Sequence, residues 1–252
     1  MTAEELFESV GFVKEYYSEM ADFYRRNFES EEDMVAFFVR VFKNDENDKT
    51  PRRMMNQVQH LISIANDMDK IRPGRDPLRI FFIKTCLEAL CALSGMNNKK
   101  DKPVFYKKFI SFMSAEGKAY ILENFSLTRF DDVYMGHAYE ASHELTIDDF
   151  FEIVRVVRDI VAHEGNYWQM QFFAQDDDST WLASLETERK LLKDYEYQYQ
   201  DKMIRNYSFK TTMQYDQFVY YFVEACIAYI VAYIERKEAE NKNGISFVIN
   251  GV

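Results

Sequence analysis

Arg155, Arg158, Asp159 and His163 fall within nine consecutive residues of a segment whose apolar positions recur at three and four. On a helix such spacing makes Asp159 and His163 neighbours and puts Arg155 one turn earlier on the same stripe. A carboxylate beside an imidazole raises its pKa and orients it, and two guanidiniums pair well with phosphate. A general acid/base next to fixed cations is the inventory of metal-free phosphodiester transfer.

The helical wheel sharpens this expectation. Ile147, Phe151, Val154 and Val161 share one face, and Arg158 occupies the position between the last two. A guanidinium in a core stripe requires a carboxylate partner or a polar cavity shaped for an anion. The alternative is structural: an Arg158–Asp159 ion pair, with His163 interacting favourably with the negative end of the helix.

The run R-D-I-V-A-H from Arg158 to His163, followed by E-G-N-Y, resembles the R-x4-6-H motif of the HEPN superfamily, in which the Arg is usually followed by Asn, Asp or His. The resemblance implies an all-α, compact multi-helix bundle: a HEPN-like core, here with additional N-terminal helices. It also implies a dimer in which two copies of the motif build a metal-independent endoribonuclease site. Arg158 would stabilise the scissile phosphate, His163 would act as acid/base, and Asp159 would orient the pair. Arg155 and Asn166 lie outside the motif and are our own choices as phosphate- or RNA-binding residues.

Two functions follow. One is a HEPN-type endoribonuclease of a toxin, abortive-infection or other defence system. The other is a catalytically inactive HEPN-like module for dimerisation or partner binding. The partners expected are RNA as substrate, a second copy of the chain, and a protein partner or antitoxin. A homodimer is further expected because Val156 and Ile160 form a second apolar strip that would otherwise face water.

Other constellations are weaker. Glu140 and His143 form an ExxH, but a di-iron bundle needs two such pairs. His137, Glu140 and His143 lack the HExxH or HxxEH spacing of a zinc site, so no metal is expected. Arg53 and His60 match Arg-x6-His loosely, with Met54 where a polar residue belongs. No GxGxxG, P-loop or GxSxG is present, so no cofactor is expected.

The elements that must position these residues read as helices. Only 8 Gly and 4 Pro punctuate 252 residues, of which 47% are hydrophobic. Cys86, Cys91 and Cys226 sit in apolar runs without CxxC spacing and read as reduced core residues. The acidic N-terminal MTAEELFESV lacks the features of a signal peptide, which points to the cytoplasm. The net charge of -11 opposes general nucleic-acid coating, yet Lys49 to Lys108 carries thirteen Lys or Arg against five Asp or Glu.

The spacing predicts helices over 4–28, 34–42, 51–71 and 78–93, one or two over 105–125, and shorter ones near 137–144 and 147–162. A mixed, Tyr-rich segment over 182–207 is expected to be helical, 168–173 to be a further apolar segment, and DDDST (176–180) to break it. Phe218 to Ile234 is apolar on every side except at Glu224 and reads as a buried bundle helix rather than a membrane span. Residues 245–252 read as a strand or loose tail. The chain is expected to form one helical domain, 1–252, divisible into N-terminal helices (1–100), a HEPN-like bundle (101–240) and a tail (241–252).

Overall fold

The computed structural model describes residues 5, 14–43, 48–96, 100–131, 138–140, 144–165, 170–172, 181–187 and 205–249. Among them are eight α-helices: α1 Lys14–Tyr24, α2 Glu31–Phe42, α3 Thr50–Ile71, α4 Asp76–Leu93, α5 Asp101–Ser111, α6 Ala115–Asn124, α7 Ile147–Glu164 and α8 Tyr215–Ile249. Four strands accompany them: β1 Phe125–Asp131, β2 Ala138–Glu140, β3 Trp181–Thr187 and β4 Arg205–Thr211. The helical class expected from the sequence is the one the chain adopts. A small antiparallel sheet is added to it.

Local chemistry accounts for the helix ends. Ser30 Oγ accepts from Asp33 N at 3.1 Å to start α2, whose first turn carries Glu31, Glu32 and Asp33. Pro51, with no N–H to offer, is the second residue of α3. Gly95 follows α4 at φ 79°, a left-handed conformation that stops a helix cheaply in glycine.

The contacts divide the chain into two compact units, Met1–His60 with Glu88–Phe112 and Val223–Val252, and Leu61–Leu87 with Met113–Phe222. The expected boundary at residue 100 is not where this division falls, because α3, α4 and α8 each contribute residues to both units. In the first unit Tyr24 is fully buried, its hydroxyl donating to Met55 O at 2.8 Å and its ring packed against Phe37 and Phe38.

The second unit contains the sheet, in the order β2-β1-β4-β3, antiparallel throughout. Phe125 pairs with Thr211 across β1 and β4, and Thr211 pairs in turn with Trp181 of β3. A bulge between Leu127 and Arg129 shifts the β1 register. One face of the sheet is anchored to helices through rings: Phe125 stacks on Phe209 at 5.0 Å and meets Phe150 of α7 edge-on at 5.3 Å, and Phe150 meets Phe218 of α8 at 5.6 Å.

Three expectations need correction here. Residues 138–140, read as part of a helix, form β2, and the segment over 182–207 contributes β3 and the start of β4. Pairing of β2 and β4 with β1, and of β3 with β4, supplies the hydrogen bonds that local propensity could not reveal. Residues 245–249, read as a strand or tail, continue α8. The DDDST run, Trp168 and the residues before Lys14 other than Glu5 lie outside the described residues.

Tyr215–Asn241 of α8 is long and apolar enough to cross a membrane by length and composition, but 56% of its most apolar window is buried inside the protein itself. Phe218, Phe222, Cys226 and Ile230 are all fully buried. This is the pattern of a core helix and is compatible with a water-soluble protein.

Candidate functional site

α7 is among the best-delimited helices in the chain. Thr146 Oγ1 accepts from Asp149 N at 3.2 Å while Thr146 N donates to Asp149 Oδ2 at 2.9 Å, a reciprocal capping box. At the other end Gly165 adopts φ 65°, ψ 20°, releasing the chain just after His163 and Glu164.

Between these ends Phe150, Phe151, Ile153, Val154, Val156, Val157, Ile160 and Val161 are all buried. The apolar surface therefore wraps most of the helix. Val156 at 0% and Ile160 at 4% exposure are covered within the chain itself, so the apolar strip expected to seek a second copy is not open to solvent. That argument for a homodimer falls.

What remains outside the apolar surface is one polar stripe: Glu152, Arg155, Arg158, Asp159 and His163. Arg155 grips Glu152 with two nitrogens, Nε donating to Oε2 at 2.8 Å and Nη2 to Oε1. Its Nη1 donates to Asp159 Oδ2 at 3.3 Å, and Arg158 Nη1 donates to Asp159 Oδ1 at 2.8 Å. Arg158 is half-buried, as its place beside Val154 and Val161 demands, and its partner is the adjacent residue of the same helix.

Asp159 thus turns one oxygen to each arginine. His163, the expected recipient of its orienting bond, is exposed and makes no hydrogen bond among the described residues. The ladder Glu152–Arg155–Asp159–Arg158 is neutral in sum and fixes both guanidiniums one to two turns before the imidazole. Chemically, it can hold Arg158 ready for an anion while leaving His163 open to solvent. Asn166 lies outside the described residues.

The other sequence candidates do not join this stripe. Arg53 and His60 are exposed on α3, in the first unit. The side chains of His137, Glu140 and His143 lie outside those described. Among the described residues no three His, Cys, Asp or Glu side chains are grouped to hold a metal.

No family model, curated protein or solved structure matches this chain. The site is therefore read from its own residues.

Sequence reasoning missed a second ionic cluster in the same unit. Asp76, which falls between two helices expected from the spacing, is 6% exposed at the start of α4. It accepts from Phe172 N at 2.6 Å and pairs with Arg79 at 3.0 Å. Arg79 also reaches Asp69 at 3.4 Å and lies 4.1 Å over the Tyr215 ring, whose hydroxyl donates to Asn66 Oδ1 at 2.9 Å. Burial pushes the Asp76 carboxyl above its usual range, against the pull of Phe172 N and Arg79. The available signal was an Asp followed by Pro, the pattern of a helix start. This cluster ties residues 170–172 to α4.

The first unit holds a cleft of about 450 Å3 bordered by Arg40, Asp48, Ile234 and Lys237. Three of its charged residues are bonded within the protein: Arg40 with Glu235 at 3.1 Å, Lys237 with Glu240 at 2.8 Å, and Asp48 with Thr50 N at 2.9 Å and Tyr233 at 3.3 Å. Burial raises Asp48, but the bonds from Thr50 and Tyr233 and the nearby Lys237 outweigh it and hold its pKa low.

Proposed function

We propose that the C-terminal end of α7 is the centre of a metal-independent endoribonuclease of HEPN type. The observation that carries this reading is the juxtaposition on one helix end of a guanidinium held by Asp159 and an exposed imidazole five residues further on. In the reaction, His163 takes the proton from a ribose 2′-hydroxyl, and the 2′-oxygen attacks the adjacent phosphorus. The bond from phosphorus to the 5′-oxygen breaks as that oxygen takes a proton from water, and Arg158 balances the charge that builds on the phosphorane. The products are a 2′,3′-cyclic phosphate and a 5′-hydroxyl.

The full chain is expected to cut single-stranded RNA in EDTA, and His163→Ala to abolish cutting with an unchanged melting temperature. A requirement for divalent metal, or full activity in His163→Ala, overturns the mechanism.

A second reading is a helical dimerisation or partner-binding module without catalysis. The observation favouring it is that each oxygen of Asp159 faces an arginine rather than His163. Intact RNA across several substrates, together with a dimer or a captured partner, supports that reading. Sedimentation measures the dimer directly.

A further inference from the structure

α5 has a firmly anchored inner face. Phe105 and Phe109 are buried, and with Phe112 their rings surround Tyr229 at 5.3, 6.2 and 5.5 Å. The Tyr229 hydroxyl is hydrogen bonded to Ser94 Oγ. At about 100° per residue, the opposite arc carries Lys100, Pro103, Val104, Lys107, Lys108 and Ser111, and all six are exposed. The acidic residue of α5, Asp101, lies at the edge of that arc, one heptad before Lys108.

Among the described residues some cations are held in ion pairs, whereas others, Arg53, Arg72, Lys118 and the lysines here among them, are not. Arg40, Lys70, Arg79, Arg155, Arg158 and Lys237 each pair with a carboxylate. Among the described residues, Lys100, Lys102, Lys107 and Lys108 pair with none, in a chain whose net charge is -11. Lys100 is the N-cap of α5 and Lys102 lies in its first turn, at the end of the helix where the dipole disfavours cations. Helix stability does not explain their placement.

We propose that the outer face of α5 is a docking surface for the phosphate backbone of single-stranded RNA, an inference that rests on the ribonuclease reading above. Lys100 and Lys107 lie about 10 Å apart along the helix axis, with Lys108 beside them, at 1.5 Å per residue. Flexible, compact ammonium groups suit phosphate contacts that carry no sequence preference. An anionic membrane is a poorer fit, since the broad apolar face of α5 is spent on Tyr229 and only Pro103 and Val104 stand among the lysines.

The test uses the full chain carrying His163→Ala, so that binding is measured apart from cutting. Fluorescence anisotropy of a labelled oligouridylate in EDTA is followed over a salt series. Lys100→Gln, Lys107→Gln and Lys108→Gln together are expected to weaken binding at least ~10-fold and to lower the slope of log affinity against log salt by about 2, at roughly 0.7 per lost charge. The melting temperature should hold or rise. The corresponding triple change to Arg should retain binding, which guards against a misfolded Gln variant.

An unchanged affinity and slope overturns the inference, as does loss of binding in the Arg variant. Binding to phosphatidylserine vesicles or polyglutamate in place of RNA also overturns it. RNA binding that depends on α5 without any cutting by the unmutated chain upholds the docking surface and removes the ribonuclease; cutting with binding indifferent to α5 does the reverse.

Discussion

Arg158 Nη1 and Asp159 Oδ1 lie 2.8 Å apart, at side-chain exposures of 17% and 14%, and the same carboxylate reaches Arg155 through its other oxygen. Truncating Arg158 therefore leaves Asp159 with a cation. Arg158→Ala is expected to cost about 1 kcal/mol, well below the roughly 3–5 kcal/mol of a stranded buried charge. Asp159→Ala should cost more, because it removes the carboxylate that bonds both guanidiniums, although Arg155 keeps Glu152. Urea denaturation of the two variants gives the order, and a larger loss for Arg158→Ala contradicts the ladder.

Gly117 opens the way for α8 to approach α6. A Cβ built there would meet Tyr221 Cβ and Cγ at 3.0 Å and Ser114 Oγ at 3.1 Å. The Tyr221 atoms are the base of a side chain and cannot swing aside. Gly117→Ala gains about 1 kcal/mol in helix propensity but loses about 1–3 kcal/mol to overpacking, so the net change should be destabilising. A raised melting temperature would show that the two helices part without cost.

At Asp76, replacement by Ala removes the acceptor of a buried N–H and the closest partner of Arg79, and about 2–4 kcal/mol should be lost. Asp76→Asn keeps an acceptor for Phe172 N and should lose less. Because burial raises the folded pKa, the favourable linkage is complete below the unfolded value of 3.8 and is lost as pH rises through the folded value. The stability of the native chain relative to Asp76→Asn should fall with rising pH across that window, and a rise would reverse the assigned sign.

Tyr16 supplies an alkaline counterpart. Burial pushes its hydroxyl from 10.0 to about 12, despite Arg52 and the hydrogen bond to Asn56. Its contribution is present below pH 10.0 and is lost as pH rises through about 12. Tyr16→Phe should flatten this part of the stability profile. Identical alkaline profiles for the two proteins would place the phenol in water.

Much of the helical scaffold was legible from local chemistry. Thr146 with Asp149, Pro51, Gly95 and Gly165 mark helix ends through bonds and dihedrals spanning a few residues, which sequence spacing specifies directly. The sheet was not legible. Phe125 pairs with Thr211, 86 positions away, and a strand is stabilised by a partner that its own residues do not name.

The same division runs through the site. The sequence alone determined that Arg155, Arg158, Asp159 and His163 share the last turns of one helix, because a 3.6-residue period leaves no other arrangement. Tertiary structure decided which surfaces of that helix are covered, burying Val156 and Ile160 inside the chain. It also brought the backbone of Phe172 to Asp76, across 96 positions of sequence. Side-chain geometry then settled the choice that spacing left open: Asp159, with Arg155, Arg158 and His163 all within one turn, directs its oxygens to the two arginines, the stronger and more fully charged donors.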